Sequence, residues 1–277
     1  MRLNVNSEIG RLKSVLVHLP GREIDMMVPS MMEQLLFDDI LFGQKAREEH
    51  RRFQQLILYV ADEVFDLQDL LEEVLDEPDV KGIVVRDFAR KRKLGQAVVE
   101  SLLDLPPATL AETFFGGVVG DESAAVPSFH LSPVPNMFFM RDPQVVLGDG
   151  VVISSMATEA RQREPLLSRY VFRYHKAFRG RDIFWMDLYD QPWPKTAGGA
   201  RRRPTIEGGD VLIPRRDVLL IGITERTNRA GIEHLARSLT SSGAGVKTMI
   251  AVDIPKKRSY MHLDTVFTIT SHDECLV

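Results

Sequence analysis

Four acidic side chains and one histidine recur just before apolar, β-rich segments of this sequence. They stand in three runs: Phe139-Met140-Arg141-Asp142-Pro143, Ile206-Glu207-Gly208-Gly209-Asp210 and Met261-His262-Leu263-Asp264-Thr265. The pattern places Asp142, Glu207, Asp210, His262 and Asp264 at the starts of three strands. Carboxylates accept charge-assisted hydrogen bonds from planar cations, and histidine can transfer a proton near neutral pH. Together these residues predict a site for a planar cationic substrate such as a guanidinium.

Taken singly, the same residues have simpler interpretations. An acid before a strand is commonly a turn residue, and a lone histidine is commonly structural. Gly208-Gly209 fits a close backbone approach to a ligand, and equally a tight turn or a bulge. A metal site is a third alternative, because His262, Asp264, His272 and Asp273 offer ligands, although their spacing matches no zinc pattern. The repetition of acids in three places favours a functional site.

The elements that must position these residues also repeat. The first copy comprises a hairpin at residues 144–154 around Gly148-Asp149-Gly150, a helix at 159–174 and a strand at 183–186. The second comprises a hairpin at 211–221, a helix at 229–239 and a strand at 246–252. A strand at 265–269 and Cys275-Leu276-Val277 begin a third copy. A ββαβ unit that recurs after about 67 residues predicts a propeller-like repeat fold, whose strand starts converge near the axis.

The region before the first copy is mostly helical by its periodicity. Helices are predicted at residues 44–61, 68–75, 87–105 and 107–115, with Gly82 as a break, and short strands at 13–21 and 64–67. We interpret residues of about 40–118 as a helical insertion into a single domain that spans residues 1–277. Residues 191–204 are predicted to form a long surface loop.

Composition excludes several classes of function. A net charge of −4 and a pI near 6.0 do not favour nucleic acid or anionic membranes. The basic clusters at 90–93 and 201–203 lack interleaved aromatic residues and indicate a solvated helix face and a solvated loop. The sequence shows no signal-peptide core and no apolar run of the ~18 residues that cross a bilayer. The single cysteine, Cys275, excludes an internal disulfide and fits a reducing compartment. We therefore predict a cytoplasmic protein that binds neither nucleic acid nor membranes.

In this order, the three runs resemble the motifs of the arginine deiminase family. The segments 7–12, 35–40 and 222–227 are also similar to that family, so that the resemblance extends over the whole chain of 277 residues. It implies a pentein-type pseudo-fivefold α/β propeller built from ββαβ units, incomplete here, with a helical insertion. It also implies hydrolysis of L-arginine to citrulline and ammonia through a covalent cysteine thiouronium intermediate, with no metal or organic cofactor.

The resemblance assigns a role to each matching residue. Asp142 and Asp264 would hold the guanidinium nitrogens, and Glu207 and His262 would transfer protons with support from Asp210. Asn136 and Phe139 would line the substrate pocket. Arg161 and Arg226 would hold the carboxylate of the substrate. Without the resemblance, the two arginines would be interpreted as surface ion pairs.

The sequence departs from the family's pattern at the nucleophilic cysteine. The family's cysteine lies near the end of a longer chain, whereas Cys275 follows His262 closely and corresponds to Val151 and Val218 in the earlier copies. We therefore expect a chain that lacks the C-terminal part of the family and is inactive alone. Open strand edges would favour self-association, which predicts a homo-oligomer. The alternatives are an arginine-binding relative without catalysis, an enzyme for agmatine or dimethylarginine, and a metal hydrolase.

Overall fold

The computed structural model describes residues 2–120, 128–180, 183–190 and 203–277. Most of the predicted loop at 191–204, and the first two arginines of the cluster at 201–203, lie outside the described residues. The chain divides into two compact units. The helical unit comprises Leu12–Met140 and Leu166–Arg179, and the strand unit comprises Met1–Arg11, Arg141–Pro165 and Gly180–Val277. The prediction of a single domain stays a prediction.

The helical unit contains short strands and a series of helices. In chain order these are β1 (Ser14–Val17), α1 (Arg22–Asp25), α2 (Met32–Leu35), α3 (Gly43–Ile57), β2 (Glu63–Asp66), α4 (Leu67–Leu75), α5 (Pro78–Arg92), α6 (Gln96–Asp104), α7 (Pro107–Gly116), β3 (Val118–Val119) and β4 (Phe129–Leu131). Strands β1 and β2 pair in parallel, and β3 and β4 pair antiparallel. Helix α4 begins where the side chain of Asp66 accepts a hydrogen bond from the backbone N–H of Gln68 at 2.9 Å.

One predicted helix boundary in this unit is wrong. The sequence suggested a break at Gly82 and a helix from Asp87 to Leu105, whereas α5 continues through Gly82 and ends before Lys93, whose φ is 55°. A single glycine costs a helix only about 1 kcal/mol. The buried side chains of Val84, Val85 and Phe88 lie on the same helix, and their burial outweighs that cost.

The strand unit contains two sheets with the same topology. Its elements in chain order are β5 (Gln144–Leu147), β6 (Gly150–Ile153), α8 (Glu164–Tyr174), β7 (Phe184–Met186), β8 (Val211–Arg215), β9 (Val218–Ile223), α9 (Arg229–Ser242), β10 (Thr248–Asp253), β11 (Thr268–Ile269) and β12 (Cys275–Leu276). Only the first two residues of α8 belong to this unit. In each sheet the first two strands are antiparallel, and the third is parallel to the second. The predicted repeat of ββαβ units is therefore confirmed.

The third copy differs from the predicted strand at 265–269. A 3-10 turn occupies Leu263–Thr265, and β11 begins only at Thr268 before it pairs with β12. The turn is held locally, because the hydroxyl of Thr265 donates to the carbonyl of His262 at 2.6 Å. Such side-chain bonds compete with a strand ladder. The strand that starts at Cys275 is confirmed.

Apolar residues from both sheets and from α9 form the core of the strand unit. The most deeply buried members include Val152, Val211, Leu219, Ile221 and Leu235. Along β9 the buried residues Leu219 and Ile221 alternate with less buried ones, as expected for a strand that packs one face on the core. Among the described residues, the helices are all too short or too polar to pass through a lipid bilayer.

Helix α9 anchors the chain that leads into the second sheet. The side-chain oxygen of Asn228 accepts hydrogen bonds from the backbone N–H groups of Gly231, at 2.9 Å, and Thr205, at 3.3 Å. Its amide nitrogen donates to the carbonyl of Arg203 at 3.0 Å. A side chain at Gly231 would lie 2.1 Å from the carbonyl oxygen of Thr205. Residues 203–205 are thus fixed to the start of α9.

Candidate functional site

Three of the predicted residues meet as a buried group in the strand unit. The Nε2 atom of His262 lies 2.9 Å from Oε2 of Glu207, and its Nδ1 atom lies 3.6 Å from Oδ1 of Asp142. All three residues are buried, and Glu207 is wholly inaccessible to solvent. We call Asp142, Glu207 and His262 the buried triad. Two carboxylates on opposite sides of one imidazole form an acid–base group.

Close backbone packing brings the triad together. The backbone N–H of Gly208 donates to the carbonyl of Asp142 at 3.0 Å, so that the starts of the first and second copies touch. A Cβ atom at Gly209 would lie 2.7 Å from Cγ of His262. Because Gly208 and Gly209 have no side chains, the imidazole of His262 can lie close to their backbone.

Arg161 supplies the countercharge for these acids. Its Nη1 atom donates to Oδ2 of Asp142 at 2.7 Å and lies 3.9 Å from Oε2 of Glu207. Its Nε and Nη2 atoms donate to the carboxylate of Glu164, at 3.1 and 2.9 Å. Burial opposes the charge of Arg161, but the surrounding acids raise the pKa of its guanidinium. Burial raises the pKa of Glu164 to about 7, against the opposing effect of Arg161.

Glu164 was missed by the sequence reasoning. Its only signal is its position three residues after Arg161, which brings two side chains together at the start of a helix. The contacts of Arg161 are with acids, so its predicted role in holding the substrate carboxylate stays a prediction.

The triad is poised to keep a proton on His262. Burial lowers the pKa of the imidazole, but the hydrogen bond to Glu207 and the charges of Asp142, Glu207 and Asp210 together raise it above the usual value. For Glu207, burial raises the pKa of the carboxyl. The hydrogen bond from His262, the charges of Arg161 and His262, and the N–H of Ala157 outweigh that effect and lower it. Both shifts favour the ion pair of an imidazolium with a carboxylate.

Asp210 holds the segments next to the triad through hydrogen bonds. Its Oδ1 atom accepts the backbone N–H of Leu263 at 2.9 Å, and its Oδ2 atom accepts the hydroxyl of Thr224 at 2.8 Å. Burial raises the pKa of Asp210 to about 6, although hydrogen bonds from Thr227 and Thr224 and the charge of His262 oppose the rise. Asp210 thus joins the turn that follows His262 to the segment that follows β9. Thr224 and Thr227 were also missed, because nothing in their spacing separates them from ordinary turn residues.

Arg226 lies in the same segment and is available for an anion. It is 9% exposed, and its Nη1 atom has no hydrogen-bond partner among the described residues. Its Nη2 atom lies 3.7 Å from the sulfur of Met261, which is a weak acceptor. A buried guanidinium nitrogen without an acceptor is costly, and a bound carboxylate would remove that cost.

Asp264 is partly exposed and makes no side-chain hydrogen bond within the described part of the chain. Burial raises the pKa of its carboxyl, His262 opposes that rise, and the negative charge of Asp142 adds to it. Asp264 is therefore within electrostatic reach of the triad while its oxygens remain open for a ligand.

Two predicted residues belong to the helical unit. The side-chain amide of Asn136 is buried and donates to the carbonyl of Leu35 at 2.7 Å. The ring of Phe139 is 49% exposed, with its centroid 4.2 Å from that of Phe138. Their predicted roles in lining the substrate pocket stay predictions.

The three residues of the triad also offer ligand atoms for a metal ion. One ligand atom from each of Asp142, Glu207 and His262 lies within 4.8 Å of the other two. Arg161, however, places a cation 2.7 Å from Asp142, which opposes a divalent ion. His272 and Asp273, members of the alternative zinc set, are exposed and join no such cluster among the described residues. We assign no metal to the site.

Cys275 lies at the start of β12 and is exposed. Its thiol makes no hydrogen bond or ion pair within the described residues. A nucleophilic thiolate is activated by a nearby cation or imidazole, and no described contact supplies one.

Comparisons with known proteins identify the family of this chain. Residues 33–105 and 118–277 match the family model described as arginine deiminase. The arginine deiminase of Clostridium perfringens (strain SM101 / Type A) is 36% identical over 296 aligned residues, which cover 99% of this chain and 69% of that protein. Arginine deiminase 1 of Staphylococcus epidermidis is 35% identical, in an alignment that covers 99% of this chain and 68% of that protein.

Solved structures of low identity show the fold. The DDAH of Pseudomonas aeruginosa, a cysteine-to-serine mutant complexed with citrulline, is 17% identical with a TM-score of 0.51, over 96% of this chain and 69% of that one. An adduct of dimethylarginine dimethylaminohydrolase gives 16% identity and a TM-score of 0.50, over 96% of this chain and 68% of that one. The predicted pentein-type α/β fold is confirmed. The family match spans most of the chain, and the relatives exceed a third in identity; this chain belongs to the arginine deiminase family, a family of hydrolases that act on a guanidino C–N bond.

Proposed function

We propose that the chain binds L-arginine and supplies the guanidinium-binding and proton-transfer residues of arginine deimination, the hydrolysis of arginine to citrulline and ammonia. The observation that carries the proposal is the buried triad, in which His262 contacts Glu207 at 2.9 Å and Asp142 at 3.6 Å. Its carboxylates suit a guanidinium, and its imidazolium suits an amine leaving group.

Asp142 and Asp264 are the proposed acceptors for the substrate guanidinium. Asp142 already binds one guanidinium, because Arg161 donates to it at 2.7 Å. A carboxylate has about four lone-pair sites, so that Asp142 can accept from a second group beside Arg161. Asp264 offers oxygens without a described hydrogen bond. Two such acids would hold a planar cation in one orientation.

His262 is the proposed proton donor. In the mechanism that family membership implies, a thiolate attacks the guanidinium carbon, the C–N bond breaks, and the nitrogen leaves as ammonia with a proton from the imidazolium. Water then attacks the same carbon, the C–S bond breaks, and citrulline and the thiol are released. The raised pKa of His262 supports the first proton transfer, and the carboxylate of Glu207 holds the ring in place. The ring can take a proton from the attacking water in the second step.

We do not assign the thiolate to Cys275, because its side chain is exposed and lacks an activating contact. This favours a second candidate function, arginine binding without turnover by this chain. Citrulline formation distinguishes the two candidates. We expect no turnover from the 277-residue chain, and Cys275→Ser leaves arginine affinity unchanged. Turnover that is lost in Cys275→Ser would reverse this assignment.

The substrate carboxylate is the proposed ligand of Arg226, whose buried Nη1 atom lacks a partner among the described residues. Agmatine has the same guanidinium but no carboxylate, so that calorimetry with both compounds tests the assignment. We expect arginine to bind more tightly than agmatine, and Arg226→Gln to remove most of that preference. Arg237→Gln is the matched control, because Arg237 lies exposed on α9. Equal affinities for arginine and agmatine in the unaltered chain would contradict the carboxylate role.

The guanidinium role is tested by Asp142→Asn. A hydrogen bond to a charged group contributes roughly 1.5–3 kcal/mol, which corresponds to a loss of affinity of about ten- to a hundredfold. The matched control is Asp149→Asn, the same chemical change at an exposed turn of the first hairpin. If Asp142→Asn binds arginine as tightly as Asp149→Asn, the triad is not the guanidinium site. The predicted self-association, cytoplasmic location and lack of nucleic-acid and membrane binding stay predictions.

A further inference from the structure

Arg141, the residue before Asp142, makes a set of contacts that the proposed chemistry does not use. Its Nη1 and Nη2 atoms donate to the two carboxylate oxygens of Glu8, at 3.1 and 2.9 Å. The Nη2 atom also donates to the carbonyl of Val211 at 2.7 Å, and Nε donates to the carbonyl of Gly208 at 3.3 Å. One guanidinium therefore joins the start of the first copy to both sides of the Gly208–Asp210 turn.

Glu8 connects this guanidinium to the second hairpin. Its Oε1 atom also accepts the backbone N–H of Ile213 at 2.8 Å. Its own backbone N–H donates to the carbonyl of Ile213 at 2.9 Å. Three residues earlier, Val5 and Gly148 exchange two backbone hydrogen bonds, at 2.9 and 2.6 Å. The N-terminal segment thus binds the hairpin of the first copy and the hairpin of the second.

Backbone atoms are in direct contact at this junction. A Cβ atom at Gly208 would lie 1.9 Å from the carbonyl oxygen of Arg141, so that the two segments pack without an intervening side chain. Asp142 follows Arg141, and Glu207 precedes Gly208. A change in the Arg141 contacts would therefore alter the spacing between the two carboxylates that flank His262.

We propose that Arg141 and Glu8 form a positioning clamp that sets the distance between Asp142 and Glu207. The inference rests on the proposed function for its consequence, arginine binding, but its geometric part concerns the triad alone. The clamp is partly open to solvent, with side-chain exposures of 39% for Arg141 and 19% for Glu8. Solvent screening limits what such a pair adds to folding, so that its principal effect is expected on the geometry of the site.

Arg141→Gln tests the clamp through the imidazole of His262. The carboxylates of Glu207 and Asp142 raise the pKa of His262, and a displaced pair would raise it less. We expect the His262 titration, followed by NMR and assigned with His262→Gln, to move towards the usual histidine range. Arginine affinity is expected to fall by about ten- to a hundredfold, because small misplacements of a binding group have effects of that order.

Two further variants test the charge of Glu8 and the forked contact of Arg141 separately. Glu8→Gln removes the charge but retains an acceptor for Ile213, so it should fold and show a smaller shift in the same direction. Arg141→Lys keeps the charge but cannot form the forked contact, so it should resemble Arg141→Gln. The control is Arg215→Gln, which removes an exposed ion pair with Asp217 in the second hairpin of the same unit.

The possible outcomes distinguish a failure of the proposed function from a failure of the clamp. If the unaltered chain binds no arginine, the proposed function fails, and the clamp is judged by the His262 titration. If the His262 pKa in Arg141→Gln and Glu8→Gln equals that in Arg215→Gln, the clamp is overturned, whether or not arginine binds. A shift in the titration together with weaker arginine binding supports both.

Discussion

Two histidines of this chain, one in each compact unit, lie buried between two carboxylates. In the strand unit, His262 lies 2.9 Å from Glu207 and 3.6 Å from Asp142. In the helical unit, His18 lies 3.2 Å from Glu23 and 3.6 Å from Asp66. The pKa of each imidazole is raised by its acids against the effect of burial, and that of His18 rises to about 9. The distances alone do not distinguish a site from a structural pair.

The other contacts of the carboxylates distinguish them. Glu23 accepts the backbone N–H of Gly21 at 2.5 Å, and Asp66 accepts those of Leu19, at 2.7 Å, and Gln68, at 2.9 Å. Backbone donors thus hold these acids in place for folding. The ring of His18 is also fully covered, and it stacks on Phe115 with centroids 4.4 Å apart.

The acids around His262 have a different environment. Glu207 also accepts one backbone N–H, that of Ala157 at 2.9 Å, whereas Asp142 is bound by the guanidinium side chain of Arg161, and the neighbouring positions are glycines. A carboxylate that already binds a guanidinium side chain suits a guanidinium ligand. A buried histidine is therefore better classified by what its acidic partners otherwise bind than by its distance from them.

The largest loss of folding stability is expected from Glu23→Ala. Removing one partner of a buried pair leaves His18 poorly compensated and typically costs about 3–5 kcal/mol. Arginine affinity of the folded protein should not change. Urea unfolding and calorimetry measure the two effects, and Glu33→Ala, at an exposed acid of α2, is the control. Loss of arginine binding in a folded Glu23→Ala protein would show that His18 belongs to a functional site.

A somewhat smaller effect is expected from pH. The folded pKa of His18 is raised to about 9 from 6.5, so its stabilising contribution is complete below pH 6.5 and is lost as pH rises towards 9. A shift of this size corresponds to about 3 kcal/mol. Urea unfolding between pH 6 and pH 9.5 should show this decline, and His18→Gln should flatten most of it. If His262→Gln flattens the profile more than His18→Gln does, the two histidines have been assigned the wrong way round.

The smallest loss of folding stability is expected at the glycines beside His262. In Gly209→Ala, the new Cβ atom would lie 2.7 Å from the ring of His262, so the ring must move. Overpacking of this kind costs about 1–3 kcal/mol, and arginine affinity should fall as the triad is displaced. Gly95→Ala is the control, because nothing lies within 4 Å of its added Cβ atom. Equal arginine affinity in the two variants would mean that close contact with Gly209 is not needed for the site.

Several elements could be predicted because their signals are local. The Gly148-Asp149-Gly150 turn indicated the first hairpin, and the recurrence of acids before strands indicated which residues meet. The pairing of Arg161 with Glu164 depends on which way the chain turns before α8, which no periodicity encodes. Likewise, the partners of His18 come from α1 and β2, and only the parallel pairing of β1 with β2 brings Asp66 near. Roles that depend on a bound substrate were reached through family resemblance, since spacing alone left the turn and metal alternatives open.

The fixation of residues 203–205 by Asn228 has a consequence for how the chain can change. Glu207 follows this anchored segment by two residues, and the anchor combines hydrogen bonds between the Asn228 side chain and the backbone with the close contact of Gly231 with Thr205. A shift of the backbone at Arg203 would therefore have to break the contacts with Asn228 before it reached Glu207 along the chain. The start of α9, a helix that contributes no residue to the triad, thus helps to fix the carboxylate beside His262.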